Sequence, residues 1–462
     1  MKVLHVPFCY YPDPVGGTEV YVASLAQAQL KQGLDVAIAA PADRNGRYRH
    51  DGIDVFRFQT ASHIDLRQLY GEGDPVAAEE FLEILKSWAP DLVHLHAFTS
   101  AISLKLVRES QQFGAPLVFT YHTPTVTCTR GTLLRWGEEV CDGRMDARQC
   151  ARCTLHSMAV PRPVSWVLGS LPGRIGALAG DAGLKGGVWT ALRMSELIGL
   201  RHQAAKGLFE QVDHVVAVAE WVRELLVRSG VPAEKITLSR QGLPYLATQS
   251  GDGGPSTPAA SAARRLQFAF LGRLDPVKGV EILIDALRRV PRLAVSLDIY
   301  AVVQGPSARD MEARLLRKAA PDPRLRFLPP MAANEVVERL RDYDALLVPS
   351  QWLETGPLVV YEAFAAGIPV IGSNLGGIAE LVTNGDNGIL VEPHSDVSAW
   401  TRAITRFVEN PDLPVQLKSR RRPVRTMEDA AADMQTVYEK AVQIAARVHR
   451  SVARRAREVP SR

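Results

Sequence analysis

The chain has 462 residues, a length that suggests about two to four domains, each able to bury its own core. Hydrophobic residues make up 46% and charged residues 23%, ordinary values for a globular protein, and 54 Lys+Arg against 50 Asp+Glu leave a formal charge of +4. That balance excludes the strongly basic nucleic-acid binders, and no nucleic-acid partner is expected.

The N-terminal stretch MKVLHVPFCYYPDP carries one Lys and a short apolar run closed by prolines, without the apolar stretch or cleavage site of a signal peptide. No run of about 18 residues is free of charge and helix breakers; the nearest, 158–180, is broken by prolines and arginines. The expectation is a cytoplasmic protein, soluble or peripheral at the inner face of a membrane.

Short β-branched runs alternate with helical periodicity from the start: Val3–Val6, a helix over Thr18–Gln32, Val36–Ala40, a helix over Ala77–Trp88, then Leu92–Leu95 and Leu117–Tyr121. Such alternation predicts βα units and a parallel sheet. The pattern breaks between His122 and about residue 200 into a Cys-bearing stretch and a Gly/Pro/Trp-rich apolar stretch, read as an insertion at a strand tip. It resumes with His214–Val218, a helix over Glu220–Ser229 and Ile236–Leu238.

The segment TQSGDGGPSTPAASAA has no apolar periodicity and reads as a flexible linker. A second βα series follows: Gln267–Leu271, Leu297–Val302, Ala345–Val348, Val370–Ile371 and Ile389–Val391. The expected division is a first α/β domain over 1–245 with the insertion at about 123–200, a linker over 246–265, a second α/β domain over 266–425, and a C-terminal helix with a basic tail over 426–462.

Neither GxGxxG nor GxxxxGK[ST] occurs, so the common phosphate-binding loops lack their residues. The segment GRLDPVKG, following the first strand of the second domain, places Arg273 and Lys278 on a turn entering a helix, where two cations suit a diphosphate; a plain solvated turn is the alternative. Further on, PSQWLETGPLVVYEAFAAGIPVIGSNLGGIAE places Glu354 in a loop before a helix and Glu362 about one turn inside it. Carboxylates there grip sugar and ribose hydroxyls, or simply cap the helix.

With PDPVGGTEVY, DLVHLHAF and VFTYHTP preceding these two segments in order, nearly the whole chain resembles the family 4 glycosyltransferases, retaining enzymes of GT-B architecture. The resemblance implies two Rossmann-like, doubly wound domains facing a cleft, with the C-terminal helix packing back toward the first. It implies transfer of a hexose from a UDP- or GDP-linked donor to a hydroxyl on a glycan or lipid-linked acceptor, in polysaccharide, lipopolysaccharide or glycolipid assembly.

By the same resemblance, Arg273 and Lys278 hold the donor diphosphate, joined by backbone N–H groups of Leu358 and Val359. Glu354 contacts the donor sugar and Glu362 the ribose. Gly16 and Gly17 lie in a loop that approaches donor and acceptor, and His122 ends a strand beside the transferred sugar. No catalytic metal is expected, and front-face attack by the acceptor hydroxyl is the working mechanism. One departure is Pro357, three residues after Glu354, where the family commonly has Gly. His94 and His96 are read as packing or surface residues. The alternatives are a GT-B epimerase or phosphorylase and a non-catalytic sugar-nucleotide-binding subunit.

Two further expectations concern the insertion. Arg162, Arg174, Lys185, Arg193, Arg201 and Lys206 interleave with Trp166, Leu168, Leu171, Ile175, Leu178, Trp189 and Leu192, a mixture that suits an anionic membrane surface or an apolar cover on the sheet. Cys128, Cys141, Cys150 and Cys153 follow the spacing Cys-x12-Cys-x8-Cys-x2-Cys. They are expected to bind one structural zinc, with an iron–sulfur cluster or free thiols and disulfides as alternatives and with Arg144, Arg148 and Arg152 offsetting the charge.

Overall fold

The computed structural model describes residues 1–13, 16–184, 186–244, 265–419 and 424–458. They form two α/β units: Met1–Arg240 together with the residues from Glu428 onward, and Gln241–Met427. Nearly all of the linker expected at 246–265 and the side chains of the basic tail lie outside the described residues.

The first unit holds an eight-stranded sheet built from β1 (Lys2–Val6), β2 (Asp35–Ala42), β3 (Gly46–His50), β4 (Ile53–Gln59), β5 (Leu92–Leu95), β6 (Leu117–Tyr121), β9 (His214–Ala217) and β10 (Ile236–Leu238); the short strands β7 (Leu134–Arg135) and β8 (Glu139–Val140) pair separately. The order β10-β9-β6-β5-β1-β2-β4-β3 puts β1 at the centre, between β2 and β5. Every pairing in that sheet is parallel except β3 with β4. That edge hairpin was not anticipated, because GRYRH is too polar to read as a strand. Its turn signal was present in the sequence: Asp51 and Gly52 both take positive φ, the geometry of a two-residue turn matched to strand twist.

Strands β5 and β6 are buried along their whole length, as strands covered on both faces must be. The helices between strands are α1 (Gly17–Lys31), α2 (Pro75–Trp88), α3 (Leu104–Phe113) and α8 (Glu220–Arg228). Where an insertion was expected, the chain forms α4 (Ala147–Ser157), α5 (Arg162–Leu168), α6 (Gly173–Asp181) and α7 (Gly187–Gln211). The excursion runs past residue 200, since α7 ends only at Gln211 and the sheet resumes at β9. Its own apolar core is small: Ala151, Leu155, Met194 and Ile198.

In the second unit, β11 (Leu266–Arg273), β12 (Val295–Val302), β13 (Leu325–Leu328), β14 (Ala345–Val348), β15 (Val370–Ser373) and β16 (Gly388–Val391) form one parallel sheet in the order β13-β12-β11-β14-β15-β16. Helices α9 (Val280–Arg288), α10 (Pro306–Ala319), α11 (Val336–Leu340), α12 (Leu358–Ala366), α13 (Gly376–Leu381), α14 (Val397–Glu409) and α15 (Asp412–Ser419) accompany it. Alternate strand residues supply two cores: Phe268, Leu297 and Leu347 pack with Trp400 and Phe407, while Ala269, Leu346 and Val348 pack with Val360 and Ile378. Burial of that much apolar surface on both faces is what holds a parallel sheet together.

The unit boundaries differ from the expected ones for a hydrogen-bonding reason. Leu243 bridges in parallel to Thr426, and its N–H donates to Arg425 O at 2.8 Å, so the chain joins the second unit at Gln241. Helix α16 (Met427–Glu458) then returns to the first unit, where Tyr438 is fully buried and Ser239 Oγ donates to Asp433 at 2.8 Å.

Candidate active site

In an open parallel sheet a crevice forms at the carboxyl ends of the two strands where the order reverses. In the second unit these are β11 and β14, and the two loops that leave them carry the cationic and acidic motifs. After β11, Asp275 caps a single turn by accepting from Val277 N–H at 3.0 Å, and Gly279 takes φ +71° to enter α9. A Cβ at Gly279 would lie 2.0 Å from the carbonyl oxygen of Pro349, so only glycine lets the loops nest. Gln351 N–H completes the junction by donating to Val277 O at 2.6 Å.

This nesting brings Lys278 Nζ to 2.6 Å from Glu354 Oε1, with Ser350 Oγ donating to the same oxygen at 2.8 Å. Glu354 is buried. Burial alone would push its carboxyl up, but the Lys278 charge and the two hydrogen bonds outweigh it and hold the group below the ordinary carboxylate range. Lys278 also sits 5.3 Å from the centroid of the Trp352 ring. Sequence reading missed Ser350, and it missed why two glycines follow β15. Gly377 N–H donates to Glu354 O at 2.7 Å, and a Cβ on Gly376 or Gly377 would press within about 3 Å of the backbone of Glu354.

Pro357, the departure noted above, is the N-cap of α12 in an extended conformation. Val360 N–H bonds Pro357 O at 3.0 Å, so the amides of Leu358 and Val359 stand ahead of the first bond of the helix, on its positive end. Glu362 follows in the second turn. It is half-buried, and burial pushes its carboxyl up to about 7. Arg273 ends β11 with an exposed side chain. The second unit thus gathers Arg273, Lys278, Glu354, Leu358, Val359 and Glu362 on the loops and helix leaving two adjacent strands.

In the first unit the order reverses between β1 and β5, and β6 follows β5. Gly16 is the N-cap of α1, its N–H donating to Glu19 at 2.8 Å; Gly17 is exposed, with open space where a side chain would be. Pro14 and Val15 lie outside the described residues. Arg57, unmarked in the sequence, steadies the preceding loop by donating to Tyr10 O at 2.7 Å and Asp13 at 2.8 Å.

His122 follows β6 directly, is buried, and joins a histidine cluster that no motif predicted. His5 Nε2 is 2.8 Å from Gln29 Oε1, His5 Nδ1 is 2.9 Å from His96 Nε2, and His96 Nδ1 is 3.0 Å from His122 Nε2. An amide oxygen only accepts, and a neutral imidazole has one donor and one acceptor nitrogen. The proton therefore sits on Nε2 of His5, of His96 and of His122 in turn, and His122 Nδ1 carries the lone pair.

On the other side, Gln29 Nε2 donates to the Tyr438 hydroxyl at 3.0 Å, the Tyr438 oxygen lies 2.8 Å from His94 Nδ1, and His94 Nε2 lies 2.7 Å from Thr120 Oγ1. Burial keeps these rings neutral, lowering His5 to about 4 and His122 to about 3 and holding His94 and His96 well below the ordinary value. Ligand atoms of His5, His94 and His96 lie within 4.8 Å of one another. Each of their ring nitrogens already has a protein partner, so the cluster is a hydrogen-bonded core, consistent with the packing role expected for His94 and His96.

Two expectations about the insertion are corrected. Arg193 and Arg201 do not face outward: Arg193 Nε donates to Glu196 at 2.9 Å, and Arg201 donates to Phe98 O at 3.0 Å and Thr125 O at 2.9 Å. Lys185 lies outside the described residues. Arg152 stacks on Trp166 and bonds Ser170. Of the apolar residues named, Trp166, Ile175, Leu178 and Trp189 are exposed, while Leu168, Leu171 and Leu192 are half-buried; Val164, Val167 and Val188 beside them are exposed as well. Among the described residues no helix is long and apolar enough to cross a membrane.

Comparison with known proteins accords with this geometry. The family model "Glycosyl transferase 4-like domain" matches residues 16–242, and "Glycosyl transferases group 1" matches residues 258–423. D-inositol 3-phosphate glycosyltransferase of Acidothermus cellulolyticus is 27% identical over 428 residues, 90% of this chain and 82% of the relative. The Streptomyces coelicolor protein of that name is 27% identical over 459 residues, 93% and 88% respectively. Among solved structures, sucrose-phosphate synthase from Thermosynechococcus elongatus superposes with a TM-score of 0.66 at 19% identity, covering 95% of this chain and 98% of that one. HepE of Anabaena in complex with UDP-glucose gives 0.57 at 17% identity, covering 98% and 99%. These likenesses carry the fold, which is GT-B.

Proposed function

The chain belongs to the glycosyltransferases of the group 1 and family 4-like kind, and from that premise we propose that it moves a hexose from a nucleoside-diphosphate sugar, UDP- or GDP-linked, to a hydroxyl acceptor with retention at the anomeric carbon. The observation that carries this reading is the ion pair of half-buried Lys278 with buried Glu354 at the β11/β14 switch point. In this reading Lys278 and Arg273, with the Leu358 and Val359 amides, bind the diphosphate, Glu354 takes sugar hydroxyls and Glu362 the ribose. The bond from the anomeric carbon to the phosphate oxygen breaks and its electron pair leaves with the diphosphate. The acceptor oxygen bonds the same carbon from the same face and its proton passes to the departing phosphate oxygen. Fixed cations and helix amides meet the growing negative charge, a preorganised electrostatic contribution. His122, neutral and buried at the end of β6, is the first unit's candidate for a part in the reaction.

The acceptor in this proposal is glycan or lipid-linked, met at an anionic membrane surface through the exposed apolar residues of α5, α6 and the start of α7, flanked by exposed Arg162 and Arg174. The test is an assay of nucleotide release and sugar transfer with a panel of radiolabelled UDP- and GDP-sugars. D-inositol 3-phosphate is included among the acceptors because two relatives are named for it. Release of one nucleotide, dependent on Lys278, with the donor's anomeric configuration in the product is the expected result. An inverted product, or no release from any donor, overturns the proposal.

A further inference from the structure

We propose that Cys128, Cys141, Cys150 and Cys153 form a structural zinc site that holds the excursion between β6 and β9 in shape. The four thiols come from three places in the chain: the turn after Pro124–Val126, the residue after β8, and one face of α4, where Cys150 and Cys153 are a helical turn apart. They nevertheless line a single pocket of about 30 Å³, with Arg130 and Arg144 among its walls. That is room enough for an ion. No disulfide joins any of them, and the fifth cysteine, Cys9, lies elsewhere.

The chemistry of the lining fits a cation bound by thiolates. Trp136 N–H donates to Cys153 Sγ at 3.3 Å, an outer-shell bond of the kind that orients a ligating sulfur. Arg130 Nη1 donates to Cys153 O at 3.2 Å, so a guanidinium sits against the site, and four thiolates around a dication would carry a net charge of −2 for it to offset. Three thiol protons are directed to weak acceptors in the same segment: Cys141 to Asp142 at 3.8 Å, Cys150 to Arg144 O at 3.9 Å and Cys153 to Leu134 O at 3.8 Å. Those protons are displaced when the ion binds: four S–H bonds give four Zn–S bonds, and up to four protons pass to solvent.

A tetrahedral shell at about 2.3 Å per Zn–S bond requires sulfurs about 3.8 Å apart, so binding the ion would draw the four thiols together. A clasp there would add to a local apolar cluster beneath α4 and α7 of only Ala151, Leu155, Met194 and Ile198.

The test is elemental analysis of the full chain purified without chelator. About one zinc and less than about 0.1 iron per chain is expected. An organomercurial should release that zinc in step with four of the five thiols, and chelation should lower Tm by at least about 5 °C, restored by added zinc. Cys150→Ser with Cys153→Ser should abolish the bound zinc; if that variant does not fold, the release and chelation measurements on the wild-type chain decide. Five freely titrating thiols in protein that takes up no added zinc would overturn the proposal, as would iron with visible cluster absorption. Because donor turnover is not the readout, failure here leaves the glycosyltransferase reading standing.

Discussion

Lys278 and Glu354 are 76 residues apart in sequence, yet Nζ of one lies 2.6 Å from Oε1 of the other. The contact exists because β11 and β14 are neighbours and Gly279 lets their loops touch. Lys278 holds the buried Glu354 carboxyl in its charged form, and a diphosphate arriving there would meet the Lys278 side chain already in place.

Lys278→Ala and Glu354→Gln should each lower kcat by at least about 100-fold with saturating donor. Near-wild-type turnover in either variant would remove that residue from the chemistry. The pair also sets an acid limit. Because the Glu354 carboxyl is held below its ordinary value of 4.5, its contribution to stability is present above that pH and is lost as pH falls through the lower folded value. Urea midpoints between pH 3 and 7 should fall more steeply for the wild type than for a Lys278→Met, Glu354→Gln double variant.

Glu362 has the opposite sign. With its carboxyl raised to about 7, the folded chain keeps a proton that the unfolded chain gives up from 4.5 upward, so this group costs stability as pH rises between those values. The ionised form is the better acceptor of ribose hydroxyls, so donor KM should fall as pH rises from 6 to 8 while kcat stays flat. Glu362→Gln should flatten the KM profile; a slope that survives that substitution belongs to another group.

His122 is neutral throughout the working range, with its pKa lowered to about 3. No limb of the kcat profile between pH 5.5 and 8 should come from it. Its tautomer is fixed at a distance by Gln29, so Gln29→Leu should lower kcat by about 10-fold with little change in donor KM. A ¹⁵N imidazole spectrum should place the His122 proton on Nε2; a proton on Nδ1 would show that the relay runs the other way.

The exposed apolar residues make the membrane proposal measurable. Leu178 and Val188 are 71% and 74% exposed, so Leu178→Asp with Val188→Asp should leave Tm unchanged while reducing flotation with anionic vesicles by at least about 10-fold. Wild-type protein that stays unbound at low salt would dispose of the lipid surface.

The sequence by itself determined what is local. Most strands and the helices over Thr18–Gln32 and Ala77–Trp88 rest on periodicity within short windows, and the family rests on the resemblance of five ordered motifs, among them the two loops bearing Arg273, Lys278, Glu354 and Glu362. Only the tertiary structure decided which of these residues touch. Periodicity marks a buried position but not its neighbour, because neighbours are set by strand order. So His5, His96 and His122, at the ends of β1, β5 and β6, showed no common pattern until those strands lay side by side. Tyr438 gave no sign that it closes the Gln29–His94 branch, 344 residues from His94. The same holds for Arg193 and Arg201, which the sequence offers as surface cations and the packing turns inward to Glu196 and two backbone carbonyls, where a buried charge finds the partners it requires.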